Sequence, residues 1–262
     1  MAFTVAVVQN KGGCGKTTLA TTLYATAVCR GESAGIIDLD PQGNATAWCV
    51  GRASFIKVKR GEGAAALCGP NGTLTADRFR GNQLRDEVPH AAIPCGHIAG
   101  GFVVPANPYM DRTDMASVEL DNVPFQTLLV DTPPFMCSTL FRSVVAQSDV
   151  VVVPIQPEPY CVQNVAGLVA EIENAGGGEL LETGRVRFVF NMVQKALTHA
   201  SWQAVVAAQW GHLVSPVSIP RAMAWADLSN YATKWNPKSK PAGIINELWA
   251  DIFNQTSGRA AA

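Results

Sequence analysis

Residues Lys11-Gly12-Gly13-Cys14-Gly15-Lys16-Thr17-Thr18 crowd glycines, two lysines and two threonines into one turn. Glycines let successive backbone N–H groups converge, the start of a following helix adds a favourable dipole, and Lys16 adds a charge. The ligand such a turn suits is a phosphate. Thr17 falls where a hydroxyl can bind magnesium. The ordinary phosphate loop has glycine five residues before Gly15; here Asn10 occupies that place and Lys11 follows it. Two further segments carry acids. Ile36-Ile37-Asp38-Leu39-Asp40-Pro41-Gln42-Gly43-Asn44 sets two carboxylates one residue apart at a strand end, followed by Pro and Gly, which suits a loop that can move. Leu128-Leu129-Val130-Asp131-Thr132-Pro133-Pro134 ends an apolar run in an acid, Asp131. Val189-Phe190-Asn191 ends another run in an amide. An amide offers a hydrogen-bond donor and an acceptor together, and it also suits an ordinary strand-end turn.

Positioning these groups requires a sheet. Apolar runs at Thr4–Val8, Ala34–Ile37, Phe102–Val104, Leu128–Val130, Val150–Val153 and Val186–Phe190 mostly lack polar alternation, as strands buried on both faces do. Helix-length segments at Lys16–Arg30, Cys137–Gln147, Cys161–Ala175 and His199–Gln209 lie between them. The alternation predicts an α/β fold: one doubly wound domain over 1–262, with a mainly parallel sheet flanked by helices. In such sheets ligands sit at the carboxyl ends of the strands, where the loop, Asp40, Asp131 and Asn191 all fall. Residues 52–94, rich in Gly, Arg and Asn, form a variable insertion of loop and short helix, equally compatible with function and with a solvated excursion. Residues 256–262 are expected to be a disordered tail.

The 262 residues are 48% hydrophobic and 16% charged, with a net charge of −1, so nucleic-acid binding would need a local basic patch. Seven scattered cysteines without a C-x-x-C pair predict reduced thiols and a cytoplasmic protein. No signal peptide and no membrane-length apolar run is legible. An amphipathic helix near the end, with Ile244, Ile245, Leu248, Trp249, Ile252 and Phe253 on one side, carries Glu247 and Asp251 on the other. That pattern predicts packing on the body rather than on anionic lipid.

With Lys11 counted, the octet resembles the deviant Walker A motif of the ParA/MinD family of P-loop ATPases. It is most similar to the small ParA-type partition and positioning members, because the chain begins at its first strand and leaves no room for an N-terminal helix-turn-helix. The resemblance extends through a switch I-like segment at Asp38 and Asp40, a switch II-like Asp131-Thr132-Pro133-Pro134, and strands ending Pro105-Ala106-Asn107 and Pro154-Ile155-Gln156-Pro157. It implies ATP and Mg2+ as cofactors, with nucleotide held by Lys11, Gly12, Gly13, Cys14, Gly15, Lys16, Thr17, Thr18, Asn191 and Pro220. Lys11, Lys16 and Asp40 would be catalytic, and Thr17, Asp40 and Asp131 would serve the metal. It further implies an ATP-bound homodimer in which Lys11 reaches the partner's nucleotide, nonspecific binding to nucleoid DNA, and hydrolysis stimulated by a ParB-like or other cargo adaptor, without a membrane. Lys195, Arg221, Lys234, Lys238 and Lys240 are the candidate DNA contacts, or simply a solvated face. The alternatives are a MinD-like membrane-associated ATPase, a P-loop metabolic enzyme of the same fold, and an iron–sulfur relative using Cys95 and Cys137.

Overall fold

The computed structural model describes residues 2–51, 93–96, 98–106, 120, 123, 125–134, 139–228 and 234–254. Seven strands form one sheet: β1 (Phe3–Val7), β2 (Ala34–Asp38), β3 (Ile93–Pro94), β4 (Phe102–Val104), β5 (Thr127–Asp131), β6 (Val150–Ile155) and β7 (Val186–Phe190). Their order is β3-β4-β2-β5-β1-β6-β7. Every pairing is parallel except that of β3 with β4. This is the doubly wound α/β domain that the alternating pattern predicts.

The missing polar alternation has a direct cause. Val5 and Val7 pack into a layer with Ile36, Leu129, Val150, Val152 and Val189, while Ala6 and Val8 pack on the opposite face with Ile37, Leu128, Val130, Val151 and Val153. Both faces are dry, so both parities of each strand must be apolar. On the first face lies α1 (Lys16–Cys29), with ten residues buried from Lys16 to Ala27. Its threonines satisfy their own hydroxyls: Thr21 and Thr22 Oγ1 donate to the carbonyls of Thr17 (2.8 Å) and Thr18 (2.7 Å).

The remaining helices are α2 (Asn44–Val50), α3 (Thr139–Ala146), α4 (Pro159–Gln163), α5 (Val165–Ile172), α6 (Gly178–Glu182), α7 (Leu197–Trp210), α8 (Met223–Leu228) and α9 (Lys240–Asn254). The apolar side of α9, with Ile245, Leu248, Trp249 and Ile252 all at 0% exposure, is buried in the α1 layer. Its opening is capped by Ser239, whose Oγ accepts the Ala242 N–H at 3.3 Å. No described helix is long and apolar enough to cross a membrane.

Several expectations need correction. The single helix expected over Cys161–Ala175 is two helices meeting at Asn164, then a wide turn at Glu173–Gly177 before α6. Pro159 starts the first piece, and Gly176, at φ 89°, interrupts the last. The 52–94 segment closes in the edge strand β3 rather than in loop or helix; residues 52–92 and 256–262 lie outside the described residues. Neither α2 nor α8 was foreseen, because each is too short to show a period.

Candidate nucleotide and magnesium site

Strand register assembles the site. Asp131 at the end of β5 lies level with Val7 of β1 and Asp38 of β2, so the turn after β1 and both acidic segments emerge side by side. β6 and β7 end level too, with Ile155 opposite Phe190, which sets Gln156 beside Asn191.

The turn after β1 winds into α1 through left-handed glycines, Gly13 at φ 74° and Gly15 at φ 92°. A Cβ on Gly15 would collide with the Asn191 amide, so glycine is required there twice over. The loop's own carbonyls are tied back. Asn191 Nδ2 donates to the Cys14 carbonyl at 2.7 Å, and the Lys11 carbonyl accepts from Cys14 Sγ at 3.2 Å and Lys16 Nζ at 3.3 Å. Burial pushes the Cys14 thiol up, with nearby Lys16 tempering the rise, so this thiol is a packed side chain rather than a nucleophile.

A cleft of about 590 Å³ opens along this loop, lined by Gly12, Gly13, Gly15, Lys16, Thr17 and Thr18 on one side and by Asp40, Pro41, Gln42 and Asn44 on the other. Trp48 and Pro134 close it. A second cavity of about 720 Å³ adjoins it, walled by Thr18, Leu19, Asn191, Ile219, Pro220, Arg221 and Trp225. Met192 and Gly15 line both. A polar cleft joined to a largely apolar pocket suits a phosphate chain ending in a planar base. Asn191 Oδ1 already accepts the Met192 N–H at 2.9 Å, which leaves one amide hydrogen and one lone pair for a base.

The acids divide into a buried pair and an accessible one. Asp38 Oδ2 accepts the Thr46 N–H (2.7 Å) and hydroxyl (2.8 Å), while Oδ1 accepts the Asp40 N–H (3.1 Å). Burial drives its carboxyl up to about 7 despite these bonds. Asp131 is at 0% exposure; burial first, and the neighbouring Asp38 second, hold it well above the usual carboxylate range. The Thr17 hydroxyl faces Asp131 and tempers that rise, yet neither Asp131 oxygen has a hydrogen bond of good geometry. A buried carboxylate with both oxygens orphaned beside a threonine hydroxyl fits a hard, oxygen-seeking cation such as Mg2+. Asp40 is half-buried and lines the phosphate cleft, its Oδ1 accepting the Gln42 N–H at 2.9 Å. Asp38, which orders this loop, is the site residue that sequence reasoning passed over in favour of Asp40.

Lys11 lies folded within its own chain. Its Nζ is 2.9 Å from Gln156 Oε1, 3.1 Å from Cys161 Sγ and 3.3 Å from Glu158 Oε2. The contact with Cys161 raises the ammonium's pKa most, burial opposes it, and the contact with Glu158 adds to the rise. Pro220 sits at the base cavity, paired by a parallel bridge to Val193. Lys195, Arg221, Lys234, Lys238 and Lys240 are all exposed. Arg221 belongs to the base-cavity wall, Lys195 precedes α7, and the other three precede or open α9. Cys95 is buried and donates to the Cys49 carbonyl at 3.3 Å; Cys137 lies outside the described residues, and no described cluster of three metal-ligating side chains exists.

Comparison with known proteins gives this arrangement its family. Residues 5–232 match the CobQ/CobB/MinD/ParA nucleotide binding domain. The chain belongs to that family. The chromosome-partitioning ATPase Soj of Thermus thermophilus is 29% identical over 240 residues, covering 87% of this chain and 84% of Soj. Protein IncC of Escherichia coli is 25% identical over 256 residues, and this chain spans 65% of its length. Among solved structures, apo McdA of Cyanothece aligns over 98% of this chain and 100% of its own, with TM-score 0.71 and 14% identity. A plasmid partition protein of Borrelia burgdorferi bound to AMPPNP aligns over 99% of this chain and 100% of its own, at TM-score 0.68 and 14% identity. At those identities the structures establish the shared fold. Family membership makes the chain a P-loop ATPase of the ParA/MinD type, and a partition ATPase is among its relatives.

Proposed function

We propose that this chain is an ATP-switched dimer that binds DNA nonspecifically and positions a cargo, with hydrolysis stimulated by a cargo adaptor. The observation that carries the reading is the second lysine: Lys11 stands at the phosphate loop but spends its charge on Gln156, Glu158 and Cys161, leaving the loop's own phosphate charge to Lys16. A lysine so placed is not committed to the phosphates of its own loop, and in this reading dimer closure turns it from these partners to a neighbouring subunit's nucleotide. Relatives support the cargo role: Soj is named for chromosome partitioning, and a carboxysome-distribution protein of Halothiobacillus neapolitanus is 51% identical over a 47-residue stretch.

In this reading Lys11 to Thr18 cradle the phosphates, and Asn191 and Pro220 hold the base. Thr17 and Asp131, with Asp40 nearby, hold Mg2+. The metal supplies charge neutralisation on the phosphate oxygens. Asp40, at the open wall of the cleft, positions the attacking water, and Lys16 stabilises charge developing on the phosphate. ATP closes two chains face to face; the closed dimer meets DNA through Lys195, Arg221, Lys234, Lys238 and Lys240, and is cytoplasmic and nucleoid-associated. A ParB-like protein is one form the adaptor takes.

The test is ATP hydrolysis and DNA binding measured together. With ATP and Mg2+ the chain should retain a nonspecific duplex in gel shift, lose it with ADP, and lose it as salt rises. ATP-independent DNA binding, or none, refutes the DNA arm. A second reading has one observation in its favour: a cobyrinic acid a,c-diamide synthase of Mycobacterium smegmatis bound to ADP and magnesium shares the fold at TM-score 0.66 and 18% identity. A metabolic enzyme of that kind would turn over ATP in response to an acid substrate that it amidates rather than to DNA and an adaptor.

A further inference from the structure

Gln156 takes no part in the roles assigned above, yet its amide touches three parts of the site at once. It follows β6 directly and is 9% exposed. Nε2 donates to the Gly13 carbonyl at 3.3 Å and lies 2.8 Å from Met192 Sδ, while Oε1 accepts from Lys11 Nζ at 2.9 Å. Met192 is the residue with a left-handed backbone, φ 56°, between the phosphate cleft and the base cavity. For a residue other than glycine that conformation is uncommon and has to be held in place by its surroundings.

The contact with Gly13 has a consequence for phosphate binding. In a trans peptide the C=O and the following N–H point in opposite directions. Drawing the Gly13 carbonyl toward Gln156 therefore turns the Cys14 N–H away from it, as a cradle of converging N–H groups requires. Asn191 does the same for the next peptide by holding the Cys14 carbonyl. Two side-chain amides from adjacent strand ends thus set two successive peptides. Gln156 differs from Asn191 in that its other end holds Lys11.

We propose that Gln156 is a positioning residue that couples the phosphate loop to Lys11. Nε2 sets the Gly13 peptide for phosphate, and Oε1, with Glu158 and Cys161, retains Lys11 in its own subunit until closure draws it away. The inference rests on the proposed ATP-switched dimer. Its two ends are separable by substitution. Gln156→Glu keeps an oxygen for Lys11, adds a charge to it, and replaces the donor facing Gly13 with an acceptor. Gln156→Met keeps the length and removes both polar functions.

The experiment titrates a fluorescent ATP analogue against wild type and both variants with Mg2+, then measures dimer dissociation at saturating ATP by light scattering. Both variants should bind ATP about tenfold more weakly, the scale of one lost hydrogen bond. At saturating ATP they should part: Gln156→Glu holds Lys11 harder and weakens the dimer severalfold, while Gln156→Met frees Lys11 and tightens it. A residue that merely packs would move both dimer constants the same way. Equal ATP affinity in all three proteins overturns the Gly13 contact, and parallel shifts in dimerisation overturn the Lys11 contact. Gln156→Leu replaces Gln156→Met if the latter does not fold. Failure of the wild type to dimerise with ATP refutes the proposed function itself and takes this inference with it.

Discussion

The paired acids make a prediction with a definite sign. Burial first, and the neighbouring Asp40 as a smaller cause, push the Asp38 carboxyl from about 3.8 when exposed up to about 7 in the folded chain. The folded state therefore binds more protons than the unfolded state between those values, and stability falls as pH rises through that window and beyond it. Once Asp38 is fully ionised its share of the loss is on the order of 4 kcal/mol, of which about a third falls between about pH 6 and pH 8. For a domain of this size that corresponds to a drop of about 3–5 °C in melting temperature. The assay is thermal unfolding in EDTA across that range, for wild type and Asp38→Asn. Asparagine cannot ionise and relieves Asp131 of its charged neighbour, so the variant's slope should be shallower than the wild type's. A wild-type melting temperature that is flat or rises from about pH 6 to pH 8, or a variant with undiminished slope, refutes the argument. Adding Mg2+ with ATP should raise the melting temperature most at the high-pH end, where the carboxylates are ready to accept a cation.

Three further substitutions probe separate parts of the account. Gly15→Ala forces a side chain into a backbone at φ 92° and against Asn191, and isothermal titration should show ATP affinity down by at least about tenfold; unchanged affinity contradicts the loop geometry. Lys16→Ala removes the buried ammonium at the cradle and should abolish measurable ATP binding, so tight binding in that variant would show the cleft to be misassigned. Arg187 is buried on β7, where it meets Asp251 of α9 at 2.9 and 3.1 Å and donates to the carbonyls of His212 and Val214. Arg187→Ala leaves Asp251 with the Ser215 hydroxyl at 2.7 Å but no cation, and should cost about 3–5 kcal/mol in urea unfolding while sparing ATP affinity in the folded fraction; a loss below about 1 kcal/mol would show the pair to be solvated.

The sheet was legible because a strand with both faces dry must be apolar throughout, and Val150–Ile155 shows that requirement undiluted. The phosphate loop was legible because its chemistry lies in consecutive residues. Asp131 and Asn191 could be read since each stops an apolar run abruptly. Contacts across strand ends left no local mark: Gln156 and Gly13 are far apart in sequence, and register alone brings them together. Asp38 was overshadowed by Asp40 because composition cannot say which of two alternate carboxylates turns inward. The break at Asn164 escaped notice because apolar spacing continued across it. The basic residues near α9 were visible as charges, but a charge in sequence does not reveal whether its neighbours in space make a surface for DNA.

The central claim is that ATP joins two chains through Lys11. Its most direct test is light scattering of Asp40→Ala, which should bind ATP without hydrolysing it, beside the Lys11→Ala, Asp40→Ala double variant, both with ATP and Mg2+. The account predicts a stable dimer for the first and an ATP-bound monomer for the second. A monomer in the first case, or an equally stable dimer in the second, would contradict it.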